Sequence, residues 1–311
     1  MGICFVVDMP QIGVLHGMAP RRYGWSVKIA EVPSHVVVIL CVASTNIGTI
    51  CSLKLLNKSQ YPYKIEIGQL FSTEPLVSDL ANHCAPIDDV LSVPDDQYQA
   101  VVVMPLLRSF DDPQFDTYGE VIDFFRQIFV AIHYWIVSSD CMGLNIMMDA
   151  TSLFIDPYHP QDLEMKRDYT GRARYYTRTQ HTPKYLFIDF GLSRRYGSND
   201  VAPLEDAIHG GDKTVPEFQK QHDQEFILAY GFDFMEPLVK YMVQDDPEKR
   251  PNMNEVMAHF EEIVKQLSSW KLRSRVVDPH DDSIMGSYHC VTHGARRIGF
   301  VIRRVSPIPT P

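Results

Sequence analysis

Tyr185-Leu-Phe-Ile-Asp189-Phe-Gly191, preceded by Asp140-Cys-Met-Gly-Leu-Asn145, is the stretch on which the reading of this chain turns. Four apolar residues in a row suit a buried strand, and the Asp and Gly that follow are turn formers that end it. Just after Asn145, Ile146-Met-Met148 and Leu153-Phe-Ile155 read as two short strands joined by a tight turn. Before Asp140 the pattern is helical. Thr117 and Glu120 make a capping box, and Val121, Phe125, Ile128, Ile132 and Trp135 recur at helical spacing.

Working outward, Ile50 to Leu56 and Ala100 to Met104 read as strands, with a short helix from Ile65 to Phe71 between them. Residues 1–48 show apolar clusters without a clear period. The polar, Tyr-rich and basic segment from Asp156 to Pro183 reads as a solvated insertion. Its Lys166, Arg167, Arg172, Arg174 and Arg178 alternate with tyrosines, a composition that can also hold single-stranded nucleic acid. Helices are expected at Phe234–Val243 and Met253–Leu267, the second opened by Asn252 with Glu255 three residues on. The tail from Arg273 ends in Pro307-Ile-Pro309-Thr-Pro311 and reads as partly extended. Strands followed by a helical half suit an α+β fold.

Composition bounds the function. A chain of 311 residues with net charge -10 is long enough to bury a core, and its acidic balance argues against nucleic acid as the main partner. Six scattered cysteines with no Cys-x-x-Cys pair read as reduced thiols in an intracellular protein. His289, Cys290 and His293 lack a second ligand pair, so a metal site there is disfavoured. The apolar run Val36 to Ala43 falls far short of the roughly 20 residues that a membrane span needs. No membrane association is expected, and cytoplasm or nucleus is the default location.

With these elements placed, the chain resembles the eukaryotic protein kinase superfamily, most closely the divergent kinase-like proteins of mushroom-forming fungi. The resemblance runs from about Ile50 to the C-terminus. It implies a two-lobed kinase-like fold: an irregular segment over 1–48, N-lobe-like strands and helix over 49–104, a C-lobe-like helical region over 105–270, and an extension over 271–311. It also implies ATP and Mg²⁺ as cofactors and a protein Ser or Thr hydroxyl as substrate. Asp140 matches the catalytic-loop aspartate that orients the attacking hydroxyl, while Asn145 and Asp189 match the Mg²⁺ ligands. Lys54 matches the strand lysine on the nucleotide phosphates, with Glu66 as its helix partner. Met104 to Leu107, including Leu106, matches the hinge whose backbone bonds the adenine edge. Glu217, in Val-Pro-Glu, and Arg250 match a buried ion pair of the large lobe.

Three departures stand out. No Gly-x-Gly-x-x-Gly precedes Lys54, Ser138-Ser139 stand where His-Arg is usual, and the polar Gln219–Gln224 replaces an apolar central helix. The N-lobe therefore reads as incomplete and a central C-lobe helix as missing. Each break is compact and the motifs resume beyond it, which points to segments lost through gene-model or splicing error. The expected function is phosphoryl transfer to protein, with a catalytically inactive pseudokinase or interaction module as the alternative.

Overall fold

The computed structural model describes residues 38–42, 50–93, 95–134, 143–160, 162–189, 231–244, 246, 249–277 and 283–310. Trp135, Asp140, Phe190 and Glu217 lie outside the described residues, as do segments 138–139 and 219–224. The fold is mixed α+β, with two small antiparallel sheets and several helices.

The first sheet has the order β1-β2-β4-β3, from β1 (Val38–Val42), β2 (Ile50–Asn57), β3 (Asp89–Val93) and β4 (Asp96–Pro105). β1 lies in the segment expected to be irregular. It pairs antiparallel with β2 from Val38 opposite Lys54 to Val42 opposite Ile50. The strand period of two then sorts side chains between faces. Cys51 and Leu53 on β2 join Leu91 and Val103 in one small core. Ser52, Lys54 and Leu56 share the opposite face with their β4 partners Met104, Val102 and Ala100. Between β2 and β3 comes α1 (Lys64–Phe71), close to its expected place.

β5 (Arg108–Ser109), β6 (Ile146–Asp149) and β7 (Lys184–Phe187) form the second sheet. Leu153–Ile155 is not a strand. Leu153 and Phe154 donate back to the Ala150 carbonyl, closing turns after β6, and only an isolated bridge joins Phe154 to Tyr175.

Helix α2 (Tyr118–Tyr134) separates the two larger cores. Phe124, Ile128 and Ala131 face Met148, Tyr185 and Phe187 of the second sheet. Val121, Ile122 and Phe129 face Leu238 of α3 (Glu236–Met242) and Val256 and Phe260 of α4 (Met253–Gln266). Both expected caps form. Thr117 Oγ1 accepts from Glu120 N at 3.2 Å, and Asn252 and Glu255 close a full capping box.

Segment 156–183 is less solvated than its composition implied. Arg178 is 3% exposed, and its guanidinium lies 4.0 Å from the centre of the Phe115 ring. It donates to the Phe110 carbonyl, to Pro113 O and to the Tyr185 hydroxyl. Arg108 holds the segment from the other side through the Leu163 carbonyl at 2.7 Å. The basic residues thus divide. Arg178 is a docking anchor, whereas exposed Arg174 pairs with Asp156 at 2.7 Å.

The tail is also a correction. After α5 (Ser269–Leu272), residues Ser283–Ile302 form α6, which the glycines at 286, 294 and 299 had masked in the sequence pattern. Both ring nitrogens of its His293 are engaged, Nδ1 with Asp116 Oδ1 at 3.1 Å and Nε2 with the Arg273 carbonyl at 3.0 Å. No helix among the described residues is long and apolar enough to cross a membrane.

Two buried carboxyls line the side of α2 nearest segment 156–183. Glu120 is 1% exposed and accepts from Asp116 N and from Thr179 N and Oγ1, each at 2.8 Å. Asp123 accepts from Gln127 Nε2 at 2.9 Å, and burial pushes its carboxyl up to about 6. A carboxyl with a raised folded pKa binds more protons in the native than in the unfolded state. Stability therefore falls as pH rises from about 4 to about 6 and stays at the lower level above that window. The shift corresponds to roughly 3 kcal/mol. Asp123→Asn keeps an acceptor for Gln127 and removes the titration. Its urea-unfolding free energy is expected to exceed that of wild type at pH 7 by up to about 3 kcal/mol, and to approach it near pH 4. A gap that does not change with pH would contradict this.

Candidate phosphate and nucleotide site

The site is built where the two sheets meet. In the β6–β7 pair, Ile146 lies opposite Phe187, and Ile188 N donates to the Asn145 carbonyl at 3.0 Å. Asn145, just before β6, and Asp189, just after β7, thus occupy the same end of one strand pair. The backbone of segment 83–85 runs beside β7, with Phe187 N donating to His83 O and Ala85 N donating to Phe187 O. This brings Ala85 and Ile87 toward the β2–β4 face that carries Lys54.

A narrow cavity results. Leu56, Val102 and Met104 form its sheet wall, Ala85, Ile87 and Ile188 close the other side, and Lys54 and Lys64 supply its polar end. Lys54 Nζ meets Asp189 Oδ2 at 3.1 Å, joining residues 135 positions apart. Lys64 Nζ meets Asp189 Oδ1 at 2.5 Å. Burial, and next the charge on Lys54, depress the Lys64 ammonium to about 8, while the Asp189 carboxylate pulls it back up.

Of the residues expected from sequence, Lys54, Met104, Asn145 and Asp189 gather at this end of the fold. Leu106 instead packs partly buried against the core below. Asp140 lies outside the described residues. Glu66 requires correction as the partner of Lys54. It is exposed, whereas the ion pair of Lys54 is made with Asp189. The reason is helical period. Residues 64, 67, 68 and 71 form the inward stripe of α1, with Ile67, Gly68 and Phe71 buried, and position 66 falls on the other side.

That same stripe is the signal that identifies Lys64, the functional candidate missed from the sequence. The i, i+3, i+4, i+7 pattern was visible once the helix was taken to begin at Lys64 instead of Ile65. Among the described residues, two ammonium groups against one carboxylate leave the polar end of an otherwise apolar slot with an excess of positive charge. A carboxylate oxygen is the ligand type that hard divalent cations take, but among the described residues no group of three or more Asp, Glu, His or Cys side chains that could hold a metal is present. No protein-family model matches this chain, and no curated protein matches it significantly.

Proposed function

We propose that this chain is a protein-kinase-like phosphotransferase that binds ATP with Mg²⁺ and transfers phosphate to a Ser or Thr hydroxyl of a protein. The observation that carries the reading is the Lys54–Asp189 ion pair at the mouth of the cavity. A lysine for the phosphates and a carboxylate for the metal stand together at the polar end of a narrow apolar slot, which has to widen to take a base. In this reading the chain folds into two lobes around the slot, with the β1-β2-β4-β3 sheet and α1 in the smaller lobe and α2, α3 and α4 in the larger. Met104 and the strand end beside it border the base, Lys54 holds phosphate, and Asn145 and Asp189 hold Mg²⁺. The hydroxyl of the substrate is oriented by Asp140.

A non-catalytic, pseudokinase-like reading is favoured by one feature. Asp189 is engaged by two lysines, so a metal must displace both contacts before it can bind. Incubation with γ-labelled ATP, Mg²⁺ and a generic protein substrate separates the readings. Label recovered on Ser or Thr supports transfer. Nucleotide binding without label supports the pseudokinase. Absence of both discards the nucleotide reading.

A further inference from the structure

Lys64 is costly where it stands. Its side chain is 11% exposed, so the ammonium has lost most of its hydration. It occupies the first position of α1, where the partial positive charge of the helix end disfavours a cation. It also shares the two oxygens of one carboxylate with Lys54, so among the described residues one negative charge faces two positive ones. Packing does not require a charge here, because Ile67, Gly68 and Phe71 complete the inward stripe and an apolar side chain would extend it.

We propose that Lys64 is a second phosphate-binding cation, which together with Lys54 holds the polyphosphate of a nucleotide when Asp189 turns to Mg²⁺. The exchange gives every charge a partner. Asp189 leaves two ammonium groups for a divalent cation, and each ammonium receives phosphate oxygens, for which lysine serves as a compact point charge. A helix end unfavourable to lysine alone becomes favourable once an anion lies between them. For the nucleotide this rests on the function proposed above. For polyphosphate as such it rests on the two lysines and the cavity alone.

The test is calorimetric titration of wild type, Lys64→Met and Lys64→Arg with Mg²⁺–ATP, inorganic tripolyphosphate and adenosine. Lys64→Met is expected to weaken ATP and tripolyphosphate about tenfold, the size of one charge-assisted hydrogen bond, and to leave adenosine unchanged. Lys64→Arg is expected to restore most of the loss. Polyphosphate affinity in Lys64→Met equal to that of wild type would overturn the proposal while leaving the nucleotide reading standing. Wild type that binds tripolyphosphate through Lys64 but shows no gain from the adenosine moiety would support Lys64 and overturn the nucleotide reading. Wild type that binds neither overturns both. If Lys64→Met does not fold, acetylation footprinting of wild type decides. Protection of Lys64 by tripolyphosphate supports the proposal, and equal labelling with and without it overturns it.

Discussion

Asp189→Asn is expected to lower phosphoryl transfer by more than about a hundredfold while leaving the protein folded. Groups that merely support a metal ligand are typically worth 10–100-fold, so a ligand itself should exceed about a hundredfold. Asparagine keeps the shape of the side chain and loses the charge, which removes both lysine ion pairs. The structural cost divides between the two pairs. The Lys54 pair is partly solvated, 26% and 28% exposed, and contributes about 1 kcal/mol or less. Lys64 is only 11% exposed and loses its carboxylate, a cost that release of its proton relieves because burial already depresses its ammonium to about 8. Separation of the two effects is the informative part. Thermal unfolding should move down but stay cooperative, label transfer should vanish, and ATP should bind with little dependence on Mg²⁺, because the lysines no longer have a carboxylate to leave. Transfer retained within tenfold of wild type would remove Asp189 from the metal site.

Phe260→Ala carries the largest expected loss of stability. Phe260 is 1% exposed and sets its ring edge-on to Phe129 at 5.1 Å, fastening α4 to α2. Its neighbours Val256 and Ile263 lie on the same α4 face, and Ile122 of α2 is fully buried in the same core. Removing a buried phenyl group leaves a cavity that the helices cannot fully close, at a cost of about 3–5 kcal/mol. Against a typical total of 5–15 kcal/mol this is a large share. Urea unfolding followed by circular dichroism measures it. A loss under about 1 kcal/mol would contradict the α2–α4 packing described above.

Legibility in the sequence followed the strength of local signals. α2 and α4 were readable because each pairs a capping box with a long apolar stripe, and both caps form as expected. β2, β4 and β7 were readable as apolar runs between turn residues. β3 was missed because it is short and its hairpin turns at Asp95 with φ of 61°, without the glycine that usually marks such a turn. The expected helix from Phe234 divides into a short 3-10 turn at Asp233–Met235 and α3, with Pro237 in the first turn of the latter. α6 was obscured by three glycines and by the prolines that follow it. Arg178 looked like surface charge, because nothing local shows that the carbonyls of Phe110 and Pro113 lie within its reach.

For the site, chain order carried Lys54 and Asp189, and the fold brings them together. The partner on α1 was misread because a familiar charge pairing was placed above the helical period. Glu66 has the expected sign, but Lys64 has the inward position. The meeting of two lysines on one carboxylate is a tertiary fact. It depends on α1, β2 and the end of β7 converging, which no window of sequence contains.

The most direct test is a crystal structure of the protein with Mg²⁺ and a non-hydrolysable ATP analogue. The analogue is expected in the cavity bordered by Met104 and Ile188, with phosphate oxygens within hydrogen-bond reach of Lys54 Nζ and the metal on Asp189. The 3.1 Å contact between Lys54 and Asp189 would then be broken. An empty cavity with that contact intact, at a concentration of analogue that saturates ordinary nucleotide sites, would contradict this expectation.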